Sequence, residues 1–147
     1  MIAVDTNILV YAHRGDAPSN IRAHPLVAAL AEGDVPWAIP FPCIAEFLCV
    51  ATHPRIYDPP STVSEALAQV DSWLASPVAC LLTEGVPTWA SLRELIEDAQ
   101  LAGPQVYDAR IAAICLEHGV HELWTADRDY SRFPTLRTRN PVIDSDA

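Results

Sequence analysis

A chain of 147 residues, half of them hydrophobic, is long enough to bury one core and too apolar to stay disordered, so it reads as a single domain over 1–147. Its net charge of −10 excludes nucleic-acid binding by bulk electrostatics, and its nine basic residues are all arginine, which excludes any mechanism needing a catalytic lysine. The start lacks a basic region, Asp5 interrupts its apolar run, and no uncharged apolar stretch is long enough to span a bilayer, so the expectation is a cytoplasmic protein with no membrane partner.

Residues 2–5 read as a buried strand, with a short helix after Thr6. Ser19 can cap a helix to about Glu32, with Pro25 near its first turns and Gly33 ending it. Trp37–Ile39 suits a strand, and Pro42 suits the first turn of a helix to about Ala51. A proline-rich loop over 53–60 precedes a helix over Ser61–Ala75 and a strand over Val78–Leu82. Helices over Thr88–Leu101 and Val106–His118 follow, closed near Gly103 and by Gly119. Leu123–Thr125 is a further strand, and Val142-Ile143 the candidate for a fifth. Strands alternating with helices predict an α/β fold with a mainly parallel sheet, whose sites form at the carboxyl ends of the strands. Asp5 ends the first strand and Asp127 follows a late one.

Two further carboxylates stand where apolar residues are expected. Glu46 is the only charged residue between Asp34 and Arg55, histidine aside, in the helix PCIAEFLCVA. Burying it unpaired costs several kcal/mol or forces protonation, so either it faces a narrow solvent strip or it serves a site. Asp108 heads a stripe of Ile111, Ala112, Cys115 and Leu116 at helical spacing. Taken alone it fits an N-cap as well as a catalyst. Asp5 and Asp127 have the same local alternative, capping a helix or turn. Collectively the four acids border hydrophobic elements, and their convergence would be prohibitive without cations. Oxygen-rich acidic sites select Mg²⁺ or Mn²⁺, which can lower the pKa of a bound water and stabilise a leaving oxygen. The chemistry expected is phosphodiester hydrolysis without a covalent protein intermediate.

The D-T-N at Asp5–Asn7, the isolated Glu46, D-A-R-I-A-A at Asp108 and T-A-D-R-D-Y at Thr125–Tyr130 resemble the PIN-domain ribonucleases. More narrowly, nearly the whole chain, including THPRIYDPP at 52–60 and the closing SRFPTLRTRNP, is similar to VapC-type toxins of bacterial type II toxin–antitoxin pairs. The resemblance implies a three-layer α/β/α sandwich with a mainly parallel, roughly five-stranded sheet. It implies a Mg²⁺- or Mn²⁺-dependent endoribonuclease whose catalytic and metal-holding acids fall on Asp5, Glu46, Asp108 and Asp127. Supporting roles fall on Thr6 or Asn7, beside the first acid, on Thr125, orienting the last motif, and on Asp129 as an auxiliary acid. Such toxins usually dimerise and are held by a VapB-type antitoxin whose basic residue approaches the acids. The chain departs from the pattern at Pro40-Phe41-Pro42-Cys43, where the family often carries a serine or threonine.

Arg110 and Arg128 are the candidate RNA contacts by proximity to the acids; the other late arginines, Arg132, Arg137 and Arg139, are expected to pair with surplus acids. Cys43, Cys49, Cys80 and Cys115 lack metal-ligand spacing and read as reduced core thiols. The competing readings are a non-catalytic PIN-like module binding protein or RNA, and a phosphoaspartyl phosphatase. The second is disfavoured by Asn7, where a second acid is wanted, and by the missing lysine.

Overall fold

The computed structural model describes residues 1–143. Its strands are β1 (Ile2–Val4), β2 (Trp37–Pro40), β3 (Ala79–Leu82), β4 (Glu122–Trp124) and β5 (Thr138–Arg139). The helices are α1 (Thr6–His13), α2 (Asn20–Glu32), α3 (Phe41–Ala51), α4 (Val63–Leu74), α5 (Val86–Ala99) and α6 (Gln105–Glu117), with a 3₁₀ turn at Arg128–Arg132. The strands form one parallel sheet in the order β3-β2-β1-β4-β5. The parallel α/β reading of the sequence is therefore correct.

This order decides where a site can form. From β1 the chain steps outward to β2 and β3, then returns across β1 to β4. Right-handed crossovers place helices of the outward steps on one face and those of the return on the other. The packing agrees: α1 packs on α2 and α3, and α3 on α4, while α5 and α6 pack together and α6 meets the 3₁₀ turn. The direction in which strands are added to the sheet reverses between β1 and β4, which stay parallel, and the crevice beyond their carboxyl ends is the expected ligand position in such a sheet. Val4 pairs with Trp124 in register, and the Asp5 N–H donates to the Trp124 carbonyl at 2.9 Å. The residues that follow these two strands are thereby set side by side.

The core beneath is continuous. Ala3, Val4, Trp37, Ala38, Ile39 and Leu123 are fully buried from the sheet, and Ile8, Leu9, Phe47, Ala112, Ile114 and Cys115 meet them from the helices.

Some boundaries differ from the sequence reading. The fifth strand is Thr138–Arg139, not Val142-Ile143. Its pairing is carried by backbone bonds, with Leu123 N–H donating to the Arg137 carbonyl and Thr125 N–H to the Arg139 carbonyl, both at 2.9 Å. An edge strand needs no apolar side chains. Val142 is buried in a turn instead, its N–H donating to Asn140 Oδ1 at 3.2 Å. Helix α4 starts after Thr62, which forms a capping box with Glu65. Helix α5 starts two residues before Thr88, whose hydroxyl reaches back to accept from Gly85 N–H at 2.8 Å. Two cysteines also depart from expectation. Cys43 and Cys115 are buried, but Cys49 is exposed and Cys80 is half-buried. Phe41, Ala45 and Cys49, four residues apart, turn one apolar stripe of α3 outward.

Candidate active site

A cleft of about 280 Å³ opens beyond the β1 and β4 ends, and Asp5, Glu46, Asp108 and Asp127 all line it, with Thr6 and Asn7 among the other walls. Four distant segments supply these acids: the end of β1, the middle of α3, the first turn of α6, and the loop after β4.

Asp5 is the most buried of them, at 4% exposure. It is both the N-cap of α1 and a wall of the cleft, so the two local alternatives are not exclusive. Its Oδ1 accepts from Thr6 N–H at 2.8 Å and from the Cys43 thiol at 3.5 Å. Its Oδ2 accepts from the Thr125 hydroxyl at 2.7 Å and from Asn7 Nδ2 at 3.2 Å. Burial pushes the Asp5 carboxyl above its ordinary value, while the bonds from Thr125, Thr6 and Cys43 pull it back.

Thr125 is a hub. Its one hydroxyl also accepts from Asn7 Nδ2 at 3.3 Å and from Asp127 N–H at 3.0 Å. Asn7 ties the same loop from the other side, accepting Ala126 N–H on Oδ1 at 2.9 Å. Thr6 acts differently: its hydroxyl donates to Glu46 Oε2 at 2.6 Å, anchoring the α3 acid to the start of α1.

Asp108 is not an N-cap. That position belongs to Pro104, and Asp108 is the fourth residue of α6. Burial, followed by repulsion from Asp127, Asp5, Asp129 and Glu46, pushes its carboxyl up to about 6. Asp127 caps the 3₁₀ turn by accepting Asp129 N–H at 2.8 Å. Among the described residues, the tight trio whose carboxylate oxygens lie within 4.8 Å of one another is Asp108, Asp127 and Asp129. Asp129 also faces Arg132 at 3.6 Å.

The donor set fits a hard divalent cation. The four acids lining the cleft offer carboxylate oxygens, and among the described residues no arginine or histidine lines it to offset them. Burial and the Asp5 charge keep Cys43 a thiol, so it is a hydrogen-bond donor here and not a soft ligand. Arg110 is ion-paired with Glu84, its Nη2 donating to Glu84 Oε2 at 3.1 Å. Arg128 is exposed and makes no ion pair among the described residues. Arg132 and Arg137 pair with Asp129 and Glu122.

Sequence reasoning missed Cys43, which stands in the stretch where a family hydroxyl was sought. Its position one helical turn before Glu46 was the available signal, because residues three apart share a face. It also missed Tyr11 and Tyr57, which line the same cleft. Neither belongs to an acidic motif.

Residues 2–136 match the PIN domain family. The chain is 37% identical to a Mycobacterium tuberculosis protein called ribonuclease VapC43, over 97% of this chain and 96% of that one. Among solved structures it is similar to VapBC2 from Rickettsia felis bound to a DNA fragment from its promoter, at 20% identity and a TM-score of 0.67, covering 95% of this chain and 98% of the other. It is also similar to a toxin–antitoxin complex from Klebsiella pneumoniae, at 18% identity and a TM-score of 0.63, covering 96% and 98%.

Proposed function

The chain belongs to the PIN-domain family and, within it, to the VapC ribonucleases, and on that premise we propose that its acidic cleft is the active site of a divalent-metal-dependent endoribonuclease toxin. The observation that carries this reading is the gathering of Asp5, Glu46, Asp108 and Asp127 on one cleft that no cationic side chain lines among the described residues. Unused acids so placed would only destabilise the fold. This favours an enzyme over a non-catalytic binding module.

Asp5, Glu46, Asp108 and Asp127 would hold Mg²⁺ or Mn²⁺, with Asp129 close enough to Asp108 and Asp127 to assist. The cation would polarise the scissile phosphate and ease ionisation of the attacking water. The protein's own residues fix the ligands. Thr125, Asn7, Thr6 N–H and Cys43 orient the Asp5 carboxylate, and the Thr6 hydroxyl sets Glu46. An antitoxin of VapB type is the proposed partner, its basic residue drawn to the uncompensated acids. A homodimer finds support in the outward apolar stripe of α3 and in the neighbouring Val63 and Leu67 of α4, both exposed.

The test is cleavage of cellular RNA by the purified protein, with the new 5′ ends sequenced. Cleavage is expected with Mg²⁺ or Mn²⁺ and lost on chelation; cleavage that survives chelation overturns the mechanism. The two arginines should behave differently. Arg128→Ala is expected to raise KM and flatten the salt dependence of binding by about one unit of slope, the signature of one lost phosphate contact. Arg110→Ala should change the slope less, because Glu84 already holds that guanidinium. Salt titration of RNA binding compares them directly.

A further inference from the structure

The lining of the cleft is of two chemical kinds. Its acids stand together with an apolar wall that includes Val10, Val50, Tyr11 and Tyr57. A nucleotide has the same division, a charged phosphate and an apolar base face. Resting on the reading of this cleft as an RNA-cleaving site, we propose that Tyr57 and Tyr11 are its base-stacking residues. They would select an unpaired nucleotide beside the scissile phosphate.

Tyr57 lies in the loop between α3 and α4, and that loop is clamped. The Arg14 guanidinium carbon sits 4.3 Å from the Tyr57 ring centroid. Arg14 is itself held by several acceptors. Its Nε and Nη2 donate to Asp16 at 2.8 and 2.7 Å, its Nη1 to Ser61 Oγ at 3.1 Å, and its Nη2 also to the Pro59 carbonyl at 3.0 Å. These partners tie the guanidinium to Asp16 and to the loop that carries Tyr57. It fixes the aromatic residue at the edge of the cleft. Tyr57 N–H also donates to the His53 carbonyl at 3.1 Å, closing the turn that carries it. A ring held in place loses little entropy when a base stacks on it. A second phosphate drawn toward the clustered acids would be repelled, whereas a neutral base is not. Only a base already free of its duplex stack can use such a wall, so the cleft takes RNA loops or single strands and not helices.

The experiment uses the full chain with Mn²⁺ and two RNA probes, a hairpin with an unpaired loop and the same strand annealed to its complement. Wild type is expected to cleave the loop and spare the duplex. Tyr57→Leu keeps an apolar wall but removes the ring, and should raise KM about tenfold or more while kcat changes little. Tyr57→Phe should match wild type. Tyr11→Leu leaves the Arg14 clamp intact and should shift KM in the same direction, which separates stacking from loop collapse; thermal melting of each variant checks the fold. Wild type that cleaves no RNA overturns the nuclease reading and this proposal with it. Wild type that cleaves normally while both leucine variants keep its KM overturns the stacking role alone. So does equal cleavage of loop and duplex. If KM is unchanged but Tyr57→Leu escapes inhibition by the cognate antitoxin, the wall serves the antitoxin's cation and not a base.

Discussion

Asp108→Asn should abolish RNA cleavage and at the same time stabilise the metal-free protein at neutral pH. The loss expected is about three orders of magnitude, equivalent to roughly 4 kcal/mol of metal-assisted transition-state stabilisation. The gain in stability follows from the crowding of acids. In the folded protein the Asp108 carboxyl is pushed from an ordinary 3.8 up to about 6. A raised folded-state value favours the protonated form. Its contribution is complete below about pH 3.8 and is lost as pH rises through about 6. Above that, wild type carries an ionised Asp108 facing Asp127, Asp5, Asp129 and Glu46, and the variant does not. Full conversion of the shift would be about 3 kcal/mol, but Asp108 is only half-buried, and solvent screening reduces this to about 1 kcal/mol. For a chain of this size that is a rise of about 2–4 °C in Tm at pH 7.5. The rise should vanish near pH 4, and Mn²⁺ should stabilise wild type more than the variant. Cleavage assays and melting curves across pH measure both arms. A variant that still cleaves, or that melts below wild type at pH 7.5, contradicts the role given to Asp108.

The same acid shows what a sequence can and cannot disclose. The fold was legible because parallel strands buried on both faces read as short apolar runs, and because helix punctuation is local: Gly33 and Gly119 act where they stand. The fifth strand was not, because Thr138–Arg139 pairs through its backbone alone, and an edge strand leaves no hydrophobic signal. The candidate acids were legible as charges in apolar surroundings. Their choice between capping and site was not, since that depends on where a helix begins. Asp108 lies inside α6, whose N-cap is Pro104, and so caps nothing, whereas Asp5 and Asp127 proved to be caps and cleft walls together. Hydrogen bonds spanning 120 residues, such as Thr125 to Asp5, are set by the register of β1 on β4. No local pattern carries that information. The aromatic wall was hidden for the opposite reason: Tyr11 and Tyr57 look like ordinary amphipathic residues until the cleft is closed around them.

Thr125→Val should be the most damaging conservative change at the site. The two side chains are nearly isosteric, so packing is preserved and only the hydroxyl is lost. That hydroxyl has one donor and two acceptor sites, and all are used: it donates to Asp5 and accepts from Asn7 and from Asp127 N–H. Its removal takes a hydrogen bond from a buried carboxylate and a partner from a backbone N–H, a cost of about 2–3 kcal/mol. Tm should fall by about 5–10 °C. The Thr125 bond also lowers the Asp5 carboxyl, opposing the dominant effect of burial. Without it Asp5 protonates at higher pH, so the acid limb of the kcat/KM profile should move upward. Metal affinity should weaken with it, in the range of about 10–100-fold found for lost supporting contacts to metal ligands. Thr125→Ser keeps the hydroxyl and should recover the pH limb and the Mn²⁺ affinity even where a lost methyl lowers Tm. Those two readouts separate positioning from packing. If the valine variant binds Mn²⁺ as wild type does and keeps its acid limb while melting earlier, Thr125 holds the fold together without orienting Asp5 for catalysis.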